Sequence, residues 1–315
     1  LLSSGLITAF SGKGLVPEAL VHDPVFLLAV GIGAALTVWL ATVTGLPIST
    51  THALTGALVG AGLASAGHVN VSRLGHQFFL PLAVSPVLSL ALTSAAYSCL
   101  RFLRIRFGVA RQMCLCVDGG LPQAVQIRPD GTAVLQTTGM ALTIGQLSAC
   151  RERYRGRVIG IDAQWVLDRL HYLSAGAVSF ARGLNDAPKI VALLFAAPAF
   201  RIPLETALMA VGVAMGLGGL LNARKVAFTM SERITSMNHG QGFTANLVTA
   251  GLVTMASWFG VPVSTTHVSC GSLFGLGAVT RSARWGTIRT ILAAWLVTLP
   301  LAACLTAGLM WLQRS

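Results

Sequence analysis

Residues 45–52 read Gly-Leu-Pro-Ile-Ser-Thr-Thr-His, and residues 260–267 read Gly-Val-Pro-Val-Ser-Thr-Thr-His. The copies lie 215 residues apart (260 − 45 = 215), and residues 45–62 share ten identities in eighteen positions with residues 260–277. A polar tetrad that recurs in apolar surroundings indicates that the chain contains two related halves. We call residues 45–52 the first tip and residues 260–267 the second tip.

Each tip combines a helix break with the start of a new helix. The proline lacks a backbone N–H and clashes with the preceding turn, whereas serine and threonine are preferred N-cap residues. A helix start presents free N–H groups and the positive end of the helix dipole, which suit an anion. Two such breaks at corresponding positions of two halves are typical of a transporter's substrate site. The structural alternative is a pair of capped, kinked helices without a ligand.

Composition indicates a polytopic membrane protein. Of the 315 residues, 54% are hydrophobic and 10% are charged, and the mean hydropathy is +0.73. A soluble globular chain carries about a quarter of charged residues. The net charge of +12 fits positive residues that set membrane topology better than it fits nucleic-acid binding. The six cysteines show no disulfide framework.

Apolar segments long enough to cross a bilayer surround the tips. The twenty residues 25–44 carry no charge and lead into the first tip. Residues 53–66 are too short for a comfortable span, which favours a re-entrant hairpin, and Gly56 and Gly60 within them permit close helix packing. The other predicted spans are 78–100 and 286–312, and residues 203–222 are predicted to form a helix.

Residues 101–170 differ in character and separate a first half, 1–100, from a second half, 171–315. They hold ten of the 22 Lys and Arg residues, which predicts a cytoplasmic location. The sequence AVQIRPDGTAVL has a Pro-Asp-Gly turn between alternating apolar residues, which predicts a hairpin and hence a small cytosolic insert containing β-strands. Three thiols in the insert either bind a metal or stay reduced, and the lack of a suitably spaced fourth ligand favours the second interpretation. They are Cys114, Cys116 and Cys150.

One carboxylate lies deep inside an apolar segment of the second half. An ionisable residue in a membrane span is costly and is usually functional. Asp186 follows Arg182 by four residues and could pair with it on a helix, whereas Pro188 frees backbone carbonyls that suit a hard cation such as Na⁺. The structural alternative is a buried Arg–Asp pair. Within residues 171–200, the side chains that break the apolar pattern are Arg182, Asn185, Asp186 and Lys189.

The motifs GLPISTTHALTGALVGAG, FARGLNDAPK and GVPVSTTHVSCGSLFGLG occur in this order, and with them the sequence resembles the inorganic phosphate transporter (PiT) family. The resemblance covers nearly the whole chain outside residues 101–170. It implies an all-α polytopic membrane protein with two inverted repeats, each carrying a re-entrant helical hairpin. It also implies a secondary active transporter that imports inorganic phosphate with a coupled cation, Na⁺ or H⁺, across the cell membrane.

The resemblance assigns functional roles to the residues of this chain that match the family's motifs. The resemblance implies that Asn185 and Asp186 lie at the cation and phosphate region, with Asp186 as the Na⁺ ligand if transport is sodium-coupled. The family usually continues Asn-Asp with small or polar residues, whereas Ala187-Pro188-Lys189 follows here. Lys189 could assist the anion or supply a charge otherwise provided by Na⁺, which leaves the coupling ion open. The implied phosphate contacts are Ser49, Thr50, Thr51, Ser264, Thr265, Thr266 and Asn185, and the accessory candidates are Arg182, Lys189, His52 and His267.

Other functions remain open at this point. A permease for sulfate or another oxyanion of the same fold would use the same hydroxyl donors. An intramembrane enzyme would use His52 and His267, but one histidine per tip gives no metal triad of known spacing. A non-transporting homologue is the third alternative. The expected partners are inorganic phosphate and the lipid bilayer, without nucleic acid or any cofactor beyond the coupling ion, and a homodimer is our working hypothesis.

The spacing of the motifs also predicts sequence upstream of Leu1. Asn185 precedes Ser264 by 79 residues (264 − 185 = 79), and the same spacing before Ser49 falls ahead of Leu1 (49 − 79 = −30). The resemblance implies one Asn-Asp helix per repeat. We therefore expect the first repeat to be N-terminally incomplete and the first tip to lie open where that helix would pack. Residues 1–315 alone should then transport poorly, and an upstream Asn-Asp extension should restore uptake.

Overall fold

The structure is a computed structural model, and it describes residues 3–108, 113–118, 122–127, 133–137, 141–146, 161–196 and 202–313. The chain divides into two compact units. Residues Leu1–Ser98 and Ser174–Ser315 form the first unit, and residues 99–173 form the second. The described part of the first unit is helical, and the second unit contains strands.

Within the described residues, two π-helical segments, Leu74–Phe79 and Thr229–Arg233, interrupt the α-helices. In the part of the chain that the structure describes, proline lies inside three helices without ending them, at Pro86, Pro188 and Pro300. The helices are α1 Ser4–Phe10, α2 Glu18–Val21, α3 Pro24–Thr44, α4 Thr50–Ala66, α5 Val71–Arg73, α6 Leu80–Arg106, α7 Ala163–Ala196, α8 Leu204–Asn222, α9 Arg224–Phe228, α10 His239–Trp258, α11 Thr265–Thr280 and α12 Trp285–Leu312.

Four helical segments in the described residues are long and apolar enough to cross a membrane. They are Pro24–Thr44, Val71–Arg106, Leu204–Leu221 and Trp285–Leu312. They match the predicted spans 25–44 and 286–312 and the predicted helix 203–222, and Val71–Arg106 extends the predicted span 78–100 at both ends. Their outer faces carry large exposed apolar side chains, such as Trp39 on α3 and Leu296 on α12. Such faces suit lipid rather than water.

The helices that precede the two tips end in the same way. Gly45 follows α3 with φ 73°, and Gly260 follows α10 with φ 66°, in the left-handed region that glycine adopts without strain. The next residue bonds back five positions in both copies, from Leu46 N–H to the Ala41 carbonyl and from Val261 N–H to the Ala256 carbonyl. The repeated sequence therefore encodes a repeated helix end.

The helices that follow the tips also begin in the same way. Ser49 caps α4 with φ −96° and ψ 120°, and Ser264 caps α11 with φ −99° and ψ 116°. In each copy the serine Oγ accepts the backbone N–H of the histidine three residues later, at 3.0 Å from His52 and 3.1 Å from His267. The predicted helix break and restart is confirmed at both tips.

Glycines let α4 lie directly against α12, the last helix of the chain. A Cβ added at Gly56 would meet the Leu299 carbonyl, and one added at Gly60 would meet the Ala303 carbonyl. The close packing predicted from Gly56 and Gly60 is therefore confirmed. Because lipid tails are as apolar as the core, such backbone approach is a main source of helix association in a membrane.

The second tip helix, α11, packs in the corresponding way on α6, a helix of the first half. A Cβ at Gly271 or Gly275 would meet the carbonyls of Pro86 and Leu90, and Ser94 Oγ donates to the Gly275 carbonyl at 3.2 Å. Each tip helix thus packs on a helix from the other half of the sequence. This exchange is reciprocal, and the inverted relation of the two repeats stays a prediction.

The described part of the second unit contains five strands, which lie within the predicted insert. They are β1 Met113–Asp118, β2 Pro122–Ile127, β3 Ala133–Thr137, β4 Ala141–Gln146 and β5 Ile161–Asp162. A three-stranded sheet has the order β4-β1-β5 with antiparallel pairs, and β2 pairs antiparallel with β3. Of the three insert thiols, Cys150 lies outside the described residues.

Candidate functional site

The Asn-Asp pair of α7 contacts the second tip. Asn185 Nδ2 donates to the Val263 carbonyl at 3.2 Å and to Asp186 Oδ1 at 2.9 Å. Thr265 Oγ1 donates to the other carboxylate oxygen, Asp186 Oδ2, at 3.2 Å, and Ser257 Oγ donates to Asn185 Oδ1 at 3.3 Å. Both members of the pair are buried, so these bonds replace the water that their polar groups lose.

Lys189 and Thr51 connect the first tip to this cluster. Thr51 Oγ1 donates to the Val263 carbonyl at 3.1 Å and accepts from Lys189 Nζ at 2.8 Å. Lys189 Nζ also donates to the same Val263 carbonyl at 2.7 Å and to Asp186 Oδ1 at 3.3 Å. The two tips, which are far apart in sequence, therefore meet at one buried group of polar atoms. We call Thr51, Asp186, Lys189 and Val263 the central cluster.

The three polar residues that α7 contributes to this region lie on one face of the helix. Asn185, Asp186 and Lys189 are all buried, and i and i+3 positions share a helix face. The sequence suggested that Pro188 would free backbone carbonyls of α7 for a cation. Pro188 lies within α7, but the backbone carbonyl in the central cluster is that of Val263. The carbonyl lies in the short non-helical segment of the second tip, where backbone groups are not used by a helix.

The other tip residues lie beside the cluster. Ser49 and Ser264 are buried N-caps, and a serine that accepts a backbone N–H still has its own hydroxyl proton to donate. Thr266 is buried, and Thr50 is partly exposed. The tips therefore bring hydroxyl groups and the N-terminal ends of α4 and α11 to one region.

Aromatic rings support both tips. The His52 and His267 rings lie with their centroids 4.6 Å apart, and the His267 ring stacks on Trp295 at 3.7 Å. Trp295 Nε1 also donates to the Pro47 carbonyl at 2.9 Å. A residue of α12 thus holds the broken backbone of the first tip while its ring covers a histidine of the second.

Arg182 forms the predicted i,i+4 pair with Asp186, but only the aspartate is buried. Arg182 Nε lies 3.6 Å from Asp186 Oδ2, and 54% of the arginine side chain is exposed. The interpretation as a buried Arg–Asp pair is therefore wrong, because the fully buried cation beside Asp186 is Lys189.

The expectation that the first tip lies open is wrong for Ser49 and Thr51, whereas Thr50 is partly exposed. Ser49 and Thr51 are both 0% exposed. The Thr51 hydroxyl lies between the Lys189 ammonium and the Val263 carbonyl, and these contacts close the tip over it.

Sequence reasoning missed four contributors to the site. Val263 acts through its carbonyl, which every residue type shares, so its identity gives no signal. Ser257 and Trp295 lie on helices next to the tips, and Phe10 places its ring centroid 5.6 Å from Lys189 Nζ. Of these, Trp295 had a sequence signal, because an indole inside the predicted span 286–312 needs a hydrogen-bond acceptor if it is buried.

The profile of the phosphate transporter family matches residues 1–306. The chain belongs to the phosphate transporter family. This membership, together with the four apolar spans, makes it a multi-pass membrane protein and a member of a family of transporters rather than of enzymes.

Individual relatives agree with the family assignment. The chain is 30% identical to a protein of Rhizobium meliloti named "Probable low-affinity inorganic phosphate transporter", over 94% of the chain and 76% of that protein. A Bacillus subtilis protein of the same name is 26% identical over 92% of the chain and 75% of its own length. A solved structure titled "The sodium-dependent phosphate transporter" has a TM-score of 0.70 at 22% identity, covering 99% of the chain and 85% of that structure, and shows the fold.

Proposed function

We propose that this chain imports inorganic phosphate across the cell membrane as a secondary active transporter, coupled to a cation, Na⁺ or H⁺. The observation that supports this most directly is the meeting of the two tips at the Asn185–Asp186 pair. Thr51 of the first tip accepts a hydrogen bond from Lys189, which in turn contacts Asp186. Thr265 of the second tip donates a hydrogen bond to Asp186. Family membership supplies the substrate class, because the matching relatives are named for phosphate.

Phosphate would bind at the facing starts of α4 and α11. The first N–H groups of a helix have no intrahelical partner, and the helix dipole favours an anion there. Ser49, Thr50, Thr51, Ser264, Thr265 and Thr266 would add hydroxyl donors, and Asn185 would add an amide. Neutral donors suit a substrate that must be released again, since they bind the anion without a fixed opposite charge.

The coupled cation would offset the charge of the anion in a low-dielectric site. Desolvating an isolated charge is costly, so a buried anion is accompanied by positive charge. Asp186 would be the residue that responds to the cation, because it is a carboxylate buried to 98% at the junction of the tips. Arg182 and Lys189 each place a positive charge next to this carboxylate.

Alternating access would arise from motion of one half against the other around the tips. Each tip helix packs on a helix from the opposite half of the sequence, so this motion would have to change the α4–α12 and α11–α6 contacts. Residues 101–170 would face the cytoplasm, as their arginine content predicts.

Radiolabelled phosphate binding to the purified chain, and uptake after expression in a phosphate-transport-deficient host, test the proposal. We expect saturable binding that excess unlabelled phosphate displaces and that sulfate displaces much less. Stronger displacement by sulfate would assign the site to another oxyanion. Folded protein that binds neither anion would contradict the proposed function.

A further inference from the structure

The Lys189 ammonium has the environment of a bound metal cation. Its side chain is fully buried, and Nζ contacts one carbonyl, one hydroxyl and one carboxylate, at 2.7 Å from Val263, 2.8 Å from Thr51 and 3.3 Å from Asp186. The Phe10 ring covers a further side. An ammonium has three N–H donors, and these three oxygens use all of them.

The ligand types are those of a hard cation. Carboxylate, carbonyl and hydroxyl oxygens are the groups that bind hard ions such as Mg²⁺ and Ca²⁺ in proteins. Here they come from three separate segments, the first tip, the second tip and α7, and converge on one point. A surface lysine that snorkels to solvent would not collect such a set.

We propose that the Lys189 ammonium takes the place of a coupling Na⁺ at this position, so that this chain moves phosphate without a requirement for Na⁺. The inference rests on the proposed phosphate transport and specifies its cation. The ammonium neutralises Asp186 and joins the two tips, which are the two tasks that a bound Na⁺ would perform there.

Charge balance argues against an additional Na⁺ among the same oxygens. Such an ion would lie beside the buried ammonium, and two like charges in a low-dielectric site repel strongly. The second oxygen of Asp186 already accepts from Thr265 and lies 3.6 Å from the Arg182 guanidinium. A Na⁺ would find room and charge at this point only if the lysine side chain were shortened.

The first test compares the unaltered chain in NaCl and in choline chloride at equal ionic strength. We expect phosphate affinity, and uptake where it is measured, to agree within about twofold between the two salts. A loss of roughly tenfold or more in choline, equivalent to 1.4 kcal/mol, would overturn the inference. This comparison needs no variant, so it does not depend on any substitution being tolerated.

The second test asks whether removing the ammonium exposes a Na⁺ site, and it requires no phosphate. We expect Lys189→Ala to gain about 2–4 °C in Tm when NaCl replaces choline chloride, because an ion that binds only the folded state stabilises it. The unaltered chain and the double variant Lys189→Ala/Asp186→Asn should show no such gain. The double variant controls for general salt effects, since it lacks the carboxylate that would hold the ion.

The outcomes separate the inference from the proposed function. Equal Tm of Lys189→Ala in both salts would overturn the cation-site assignment, whether or not the chain binds phosphate. Loss of phosphate binding in Lys189→Ala that Na⁺ does not reverse would instead assign Lys189 to the anion and also overturn it. If Lys189→Ala does not fold, Lys189→Ser, which also shortens the side chain and removes the charge but keeps a hydroxyl oxygen, is measured in the same way.

Discussion

Asp186→Asn should abolish coupled phosphate uptake while the protein still inserts into the membrane, and it should lower thermal stability. Asp186 is 2% exposed, and its Oδ1 accepts from the fully buried Lys189 Nζ at 3.3 Å. Asparagine preserves the shape of the side chain but leaves the ammonium without its counter-charge. Removing one partner of a buried ion pair costs about 3–5 kcal/mol. Arg182 cannot compensate, because it carries the same sign as Lys189.

A double-mutant cycle measures this interaction. For Tm shifts of about 2–4 °C per kcal/mol, Asp186→Asn should lower Tm by on the order of 10 °C. The double variant Asp186→Asn/Lys189→Met removes both charges and should recover most of that loss. Glu205→Gln, which changes an exposed carboxylate in the first turn of α8, is the control and should change stability by less than about 0.5 kcal/mol.

Two results would refute the reasoning. If the two single substitutions add within about 0.5 kcal/mol in the double variant, Asp186 and Lys189 are not coupled and the central cluster is misassigned. If Asp186→Asn retains near-normal, cation-stimulated uptake, the carboxylate has no role in coupling.

Three further predictions concern the tips, the helix packing and the topology. Thr51→Val and Thr266→Val should each weaken phosphate binding by about 1.5–3 kcal/mol, or roughly ten- to a hundredfold, and wild-type affinity in both would show that the tips are only helix caps. Only Thr51→Val should also lower Tm, because the Thr51 hydroxyl bonds to Lys189 and Val263 of the central cluster. Gly275→Ala should lower Tm, since its Cβ would meet a backbone carbonyl of α6, whereas the control Gly251→Ala on α10 meets open space and should not; equal Tm values would argue against the α11–α6 contact. In a variant whose other five cysteines are replaced, Cys114 should resist an impermeant thiol reagent in intact cells and react after permeabilisation. Equal labelling before and after permeabilisation would reverse the predicted orientation.

The local structure of the tips was predictable because it depends on residues close together in sequence. Glycine at a left-handed helix end, proline after it and a serine N-cap each act within a few positions, so the two copies in the sequence give two copies of the structure. The glycines of α4 similarly predicted close helix packing, although not its partner. The reciprocal exchange of tip helices between the halves depends on the whole fold, and sequence spacing carries no information about it.

The composition of the central cluster was only partly predictable. Asp186 was evident as a carboxylate in an apolar segment, but both Arg182 and Lys189 lay within reach of it on a helix. Which of them is buried depends on how α7 faces the tips, and this is decided by tertiary packing. The Lys189–Thr51 bond spans 138 residues of sequence, and the Val263 carbonyl is a backbone group, so neither has a local signature.

A structure determined with bound phosphate tests the central claim most directly. Our account predicts tetrahedral density between the starts of α4 and α11, with phosphate oxygens about 2.5–3.0 Å from threonine hydroxyls of both tips. Lys189 Nζ should still contact the Asp186 carboxylate in that structure. Phosphate density remote from both tips, with the tips unchanged, would contradict the account.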